Sequence, residues 1–234
     1  MLPIFKKEIR NYFTTPLGYV FIGIFLSVSG FVFAVSTFAQ GTSDVSGYFQ
    51  LMIFGYIVIV PILTMRSFAE EKRTKTDQLL MTSPVSVTSM VLAKFFAAFA
   101  MFAGTVLVSC LYYIPLGAYG NLNNGKAFGC LIAMLLIGMC FISVGIFIST
   151  LTESTVTAAT ATMGVLVGFV GIALFNSLID SYFIRSILNF ISIYSRYGNF
   201  AYGIFDIAAM VYYISITAIF LFLAVRVCER RRYA

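Results

Sequence analysis

The sequence predicts an all-α integral membrane protein: six transmembrane helices behind an amphipathic N-terminal helix. Three observations carry that prediction. Of the 234 residues, 60% are apolar and only 10% are charged, whereas a soluble domain carries about 25% charge. The apolar residues gather into six runs, each near the roughly 20 helical residues that cross a hydrocarbon core. Charge is confined mainly to the breaks between runs, and the densest break, residues 66–77, holds seven charged residues in twelve positions.

Residues 2–16 form the first element. Ile4, Phe5, Ile9, Tyr12 and Phe13 recur at helical spacing, while Lys6, Lys7, Arg10 and Asn11 take the other side. A helix of this kind lies in the membrane interface with its apolar face down and its cations toward headgroups. The first span follows at 17–39. A signal peptide is the rival reading, but its apolar core runs to about 7–15 residues, and this stretch is longer, so it is expected to be retained. A polar turn at 40–47 leads into the second span, 48–65.

The long charged break then begins. Its density of charge places it in water. Phe68, Leu79 and Leu80 flank residues of good helix propensity and Ser83-Pro84 supplies a stop, so a short helix is expected over 68–81. Two readings fit: a docking element for a soluble partner, or an ordinary hydrophilic connector. Glu70, Glu71 and Arg73 are expected to face water in either case. The third span, 89–114, admits Lys94 if its ammonium snorkels back to the headgroups. A turn rich in glycine and asparagine occupies 115–126.

Spans four and five, 127–148 and 156–175, are joined by STLTEST, residues 149–155. Glu153 is the single charge there, and Thr152 or Ser154 is placed to cap the next helix. GVLVGFVG, with Gly164, Gly168 and Gly171, gives span five a small-residue face suited to close packing. Residues 176–206 are too polar to span: Phe183, Ile184, Ile187, Leu188, Ile191 and Tyr194 form one stripe, and Arg185, Asn189, Ser192 and Arg196 form the opposite one. An external interfacial or re-entrant segment is expected. Asp206 opens the sixth span, 207–227, either as its cap or as a ligand for an external polar group.

Orientation follows from the basic residues. With the N-terminus in the cytoplasm, twelve of the fifteen Lys and Arg fall on that side and only Lys126, Arg185 and Arg196 fall opposite, a strong positive-inside bias. The net charge of +6 is therefore spread along span ends, which argues against nucleic acid as a partner. Histidine is absent and the four cysteines show no paired spacing, so neither a metal ligand set nor a catalytic residue is expected. The chain also lacks the glycine-rich lysine loop of nucleotide hydrolases and the intramembrane carboxylates of ion-coupled carriers. Any driving energy must come from another subunit.

The segment MRSFAEEKRTKTDQLLMTSPVSVTSMVLAKF, residues 65–95, strongly resembles the first cytoplasmic loop and third-helix entrance of ABC-2 type transporter permeases. FKKEIRNYFTTPLGYV resembles the elbow helix of that family, and STLTEST its short second contact. NFISIYSRYGNFAYGIFDIAAMVYYIS is similar to the external segment and last span of the branch that includes gliding-motility and nitrous-oxide-reductase maturation permeases. The resemblance implies an ABC-2, type V exporter-like permease fold in a bacterial cell membrane, with both termini cytoplasmic. It implies partnership with two copies of an ATP-binding cassette ATPase, which holds ATP and Mg, and with a second permease copy. Membrane lipid surrounds the pair, and a further operon-encoded membrane or external protein is compatible with it. On this reading Phe68, Glu70, Glu71, Arg73, Thr76, Leu79, Leu80, Thr152 and Glu153 couple to the ATPase. Phe5, Lys6, Lys7 and Arg10 mark the elbow, while Arg185, Asn189, Arg196 and Asp206 form an external gate. The chain itself is expected to hold no cofactor and run no reaction. Export of an unidentified substrate, an amphiphile being one candidate, is the expected function; the alternative is a scaffold, assembly factor or force-transmitting subunit coupled to an ATPase.

Overall fold

The computed structural model describes residues 1–39, 41, 44–75, 86–119, 123–176, 192–194, 196–204 and 206–233. Among these the regular elements are all helical. Helix α1 spans Leu2–Thr14. It stops because Thr15 is extended, at φ −95° and ψ 150°, the conformation that a following proline imposes. That proline, Pro16, opens α2 at the helix position where a missing N–H costs nothing. α2 covers Pro16–Phe33 and continues as a π-helical turn, Ala34–Phe38. α3 runs Ser46–Thr64 with Pro61 inside it.

After a tight corner, α4 spans Ala69–Arg73; of the helix expected over 68–81, residues 76–81 lie outside the described residues. The end of α4 has a local cause: Lys75 takes a left-handed φ of 57°, where a helix cannot propagate. α5, Val87–Ser109, starts with Ser86 accepting a hydrogen bond from the Ser89 N–H. A 3-10 turn, Cys110–Tyr112, leads into α6, Tyr113–Tyr119. Part of the turn expected at 115–126 is therefore helical, with Pro115 in its tolerant first turn. α7 spans Asn124–Leu151, its start capped by the Asn123 side chain. It runs three residues past the expected end, so Ser149, Thr150 and Leu151 belong to a helix and the loop contracts to 152–154.

α8 covers Thr155–Asn176, α9 is the single turn Gly198–Ala201, and α10 runs Ile207–Tyr233. Among the described residues, six helical stretches have the length and apolar character to cross a membrane: Pro16–Thr37, Ser46–Arg73, Val87–Tyr112, Asn124–Leu151, Thr155–Ile172 and Ile207–Arg231. α7 is the most buried of these and packs against α3, α5, α8 and α10. Lipid tails are as apolar as leucine, so such helices associate through close packing rather than hydrophobic burial. α7 achieves this with glycine. A Cβ on Gly138 would lie 2.1 Å from the Phe102 ring, and one on Gly145 would lie 2.2 Å from the Thr64 hydroxyl. Phe102 in turn meets Tyr56 edge-on at 5.0 Å and Phe25 at 6.0 Å, tying α2, α3 and α5 into one core. Gly164 and Gly168 differ: nothing within 4 Å would meet a Cβ at either, so no described helix of this chain covers that part of α8.

Candidate functional site

The short helix α4 and the end of α7 complete each other. A helix start leaves N–H groups without intrahelical acceptors, and a helix end leaves carbonyls without donors. Phe68, the residue preceding α4, has no side-chain cap of its own. Ser149 supplies one from α7. Its Oγ accepts from the Phe68 N–H at 3.0 Å and the Ala69 N–H at 3.1 Å, and donates to the Met65 carbonyl at 3.5 Å. In return Lys72 of α4 donates to the carbonyls of Thr150 and, at 3.5 Å, Thr152. A cation there also meets the negative end of the α7 dipole. The two segments read from sequence as separate loops thus form a single joint, in which Ser149, Phe68 and Ala69 are fully or almost fully buried.

Lys94 extends the joint to two more helices. It does not reach for headgroups: it is 3% exposed. Its Nζ donates to Glu71 Oε1 at 2.8 Å, to Glu8 Oε1 at 3.2 Å and to the Ser67 carbonyl at 2.7 Å. It also stands 4.9 Å from the centre of the Phe68 ring. The ammonium has three donors and each finds an acceptor, the condition under which a buried charge is tolerated. Glu8 belongs to α1, Glu71 to α4 and Lys94 to α5, so one cation fastens three elements. Glu71 accordingly does not face water as expected, because its carboxylate is turned inward to Lys94. Tyr12 adds a second tie from α1, donating to the Leu63 carbonyl at 3.4 Å. Burial, reinforced by the Glu8 carboxylate, pushes its phenol up and keeps it a neutral donor.

The remaining expected residues fall around this joint. Glu70 makes a partly exposed pair with Arg66 at 3.7 Å. Arg73 and Glu153 are exposed, and Thr152 is half-buried, its carbonyl accepting from Lys72. On α1, Phe5 is half-buried, and Lys6, Lys7 and Arg10 are exposed. Thr76, Leu79 and Leu80 lie outside the described residues, as do Arg185 and Asn189. Glu8, Ser67, Lys72, Lys94 and Ser149 are the members of the joint that sequence reasoning did not select. One signal was present: a lysine inside the apolar run MVLAKFFAAFA needs a partner, and Glu8 is the only acid in α1.

The opposite end of the bundle holds the other described residues of the expected gate. Asp206 caps α10, its Oδ1 accepting from the Ala208 N–H at 2.9 Å and the Ala209 N–H at 3.3 Å. Its Oδ2 accepts from the Asn199 amide at 2.8 Å. That amide, then the backbone N–H groups, hold the carboxyl below its ordinary 3.8. Arg196 stacks its guanidinium 4.2 Å from the Tyr212 ring centre. The segment around them is pinned to the bundle: Tyr194 accepts from Gln50 of α3, and Tyr213 of α10 donates to the Ile193 carbonyl at 2.8 Å.

Residues 34–228 match the family model described as ABC-2 family transporter protein. The match begins at the end of α2, includes the α4–α7 joint and most of α10, and leaves α1 outside. No curated protein matches the chain.

Proposed function

Since this chain belongs to the ABC-2 family of transporter proteins, we propose that it is the membrane permease through which a separate ATP-binding cassette subunit, holding ATP and Mg, drives export of an amphiphilic cargo. The observation that carries this reading is the joint itself. α4 and the end of α7 cap one another, and Lys94 ties them to α5 and α1. Force applied at the exposed rim of α4 therefore reaches α7, α5 and α1 without first bending a loop. Arg73 at the end of α4 and Glu153 in the 152–154 loop are both exposed. Together they offer both signs of charge to a soluble partner, an arrangement that favours specific docking.

The working assembly on this reading has two permeases and two ATPases in a bacterial cell membrane, with the joint and both termini in the cytoplasm. The uncovered Gly164 and Gly168 on α8 supply a face for the second permease. Double charge reversal, Arg73→Glu with Glu153→Lys, tests the docking surface. Both side chains point to solvent, so folding is retained. Co-purification of the ATP-binding subunit is expected to fall on the order of tenfold, about 1.4 kcal/mol of lost binding. Unchanged co-purification and unchanged nucleotide turnover in the complex would contradict the assignment.

A further inference from the structure

A cavity of ≈310 Å³ lies between α1, α2 and α5, away from the joint. Its lining is almost entirely apolar and includes Ile9, Phe13, Ile22, Ala100, Gly104 and Val108. From Ala100 to Val108 it descends along α5 by about 12 Å, at 1.5 Å per helical residue. Phe13 at its mouth is 48% exposed. Gly104 leaves its wall open, since a Cβ there would meet nothing within 4 Å. A glycine inside a helix costs about 1 kcal/mol relative to alanine, and no neighbouring atom of this chain requires one here.

Two exposed cations of α1 fall toward the side of the helix that lines the groove. At about 100° per helical residue, Lys6 and Arg10 lie roughly 20° and 60° around α1 from Phe13, whereas Lys7 lies roughly 120° away. Glu8 is turned to the far side, where it meets Lys94 at 3.2 Å. Lys6 and Arg10 are exposed, and among the described residues neither makes an ion pair. An interfacial helix carrying two cations above an apolar, chain-deep groove matches an anionic amphiphile with its charge at the surface and its tail in the bilayer. The geometry points to a site for one anionic phospholipid: an acyl chain in the groove along α5 and the headgroup between Lys6 and Arg10. Lys7 takes no part. Anchored there, the lipid fixes the depth at which α1 holds Glu8 toward Lys94.

The chain contains no tryptophan, so Phe13→Trp places a single indole at the mouth. The protein is reconstituted in phosphatidylcholine bilayers containing increasing fractions of brominated phosphatidylglycerol or brominated phosphatidylcholine, and bromine quenching of the indole is recorded. Two basic contacts lead us to expect half-quenching by the anionic lipid at a mole fraction on the order of tenfold lower than by the zwitterionic one. Lys6→Gln with Arg10→Gln erases the difference, Lys7→Gln keeps it, and Gly104→Leu weakens quenching by both lipids. Equal quenching by the two lipids in the Phe13→Trp chain overturns the site, independently of how the further substitutions fold. Loss of the preference in Lys7→Gln as complete as in the double variant also overturns it. So does an indole that neither lipid reaches until excess bilayer dilutes the protein, the behaviour expected if a second copy fills the groove.

Discussion

Lys94 and the Arg66–Glu70 pair show how much burial decides. Both are lysine or arginine to glutamate contacts within 4 Å. Lys94 is 3% exposed and serves two carboxylates and a carbonyl, so Lys94→Met removes the buried cation that Glu8 and Glu71 share. The expected loss is about 3 kcal/mol, measured by denaturant unfolding in detergent. Arg66→Ala removes a pair whose members are 43% and 38% exposed, and the same titration should move by about 0.5 kcal/mol or less. Equal effects from the two variants would contradict the view of Lys94 as a fastener. Asp206 gives a pH prediction. Its carboxyl is depressed, so its stabilising contribution is present above 3.8 and is lost as pH falls through the lower folded value. Hydrogen exchange at the Ala208 and Ala209 amides should accelerate relative to intrinsic rates across that acid window, and Asp206→Asn should remove the transition.

At the scale of elements, the α4–α7 joint depends on one hydroxyl and one missing methyl. Ser149→Ala removes the acceptor of two buried N–H groups while keeping the helix former. A loss of about 1–2 kcal/mol is expected, with faster exchange at Phe68 and Ala69 than elsewhere in the bundle. Gly145→Ala drives a Cβ toward the Thr64 hydroxyl at 2.2 Å, and separating α3 from α7 should cost about 1–3 kcal/mol. Gly164→Ala, with open space around it, should be neutral or stabilising in the isolated chain. These elements also show what the sequence made legible. Bilayer length and the scarcity of charge were enough to place six spans, because one-dimensional hydropathy reports membrane crossing directly. The limits of α4 and α7 were not legible. STLTEST reads as a polar loop because its serines and threonines are turn formers, yet Ser149 is inside a helix and caps α4, some 80 residues away in the chain. Lys94 was misread for the same reason: snorkelling is the local solution for a lysine near a span end, and Glu8 and Glu71 are partners that only the fold brings within reach.

The whole molecule is a bundle whose two ends differ. One end gathers α1, α4 and the termini of α3, α5 and α7 around Lys94; the other pins the segment before α10 through Tyr194, Tyr213 and Asp206. The end with the joint carries the exposed charges of Arg73 and Glu153, and on the proposed function a soluble ATP-binding subunit docks there. The most direct measurement is photocrosslinking in intact cells that make the complete assembly. p-Benzoylphenylalanine is placed at Arg73 or Glu153, and at Lys126 or Tyr202 on the opposite end, with adducts identified by mass spectrometry. Docking at the joint predicts adducts to a chain bearing a nucleotide-binding motif from Arg73 and Glu153 and none from Lys126 or Tyr202. Absence of such an adduct from both joint positions, or its appearance from the opposite end instead, would contradict it.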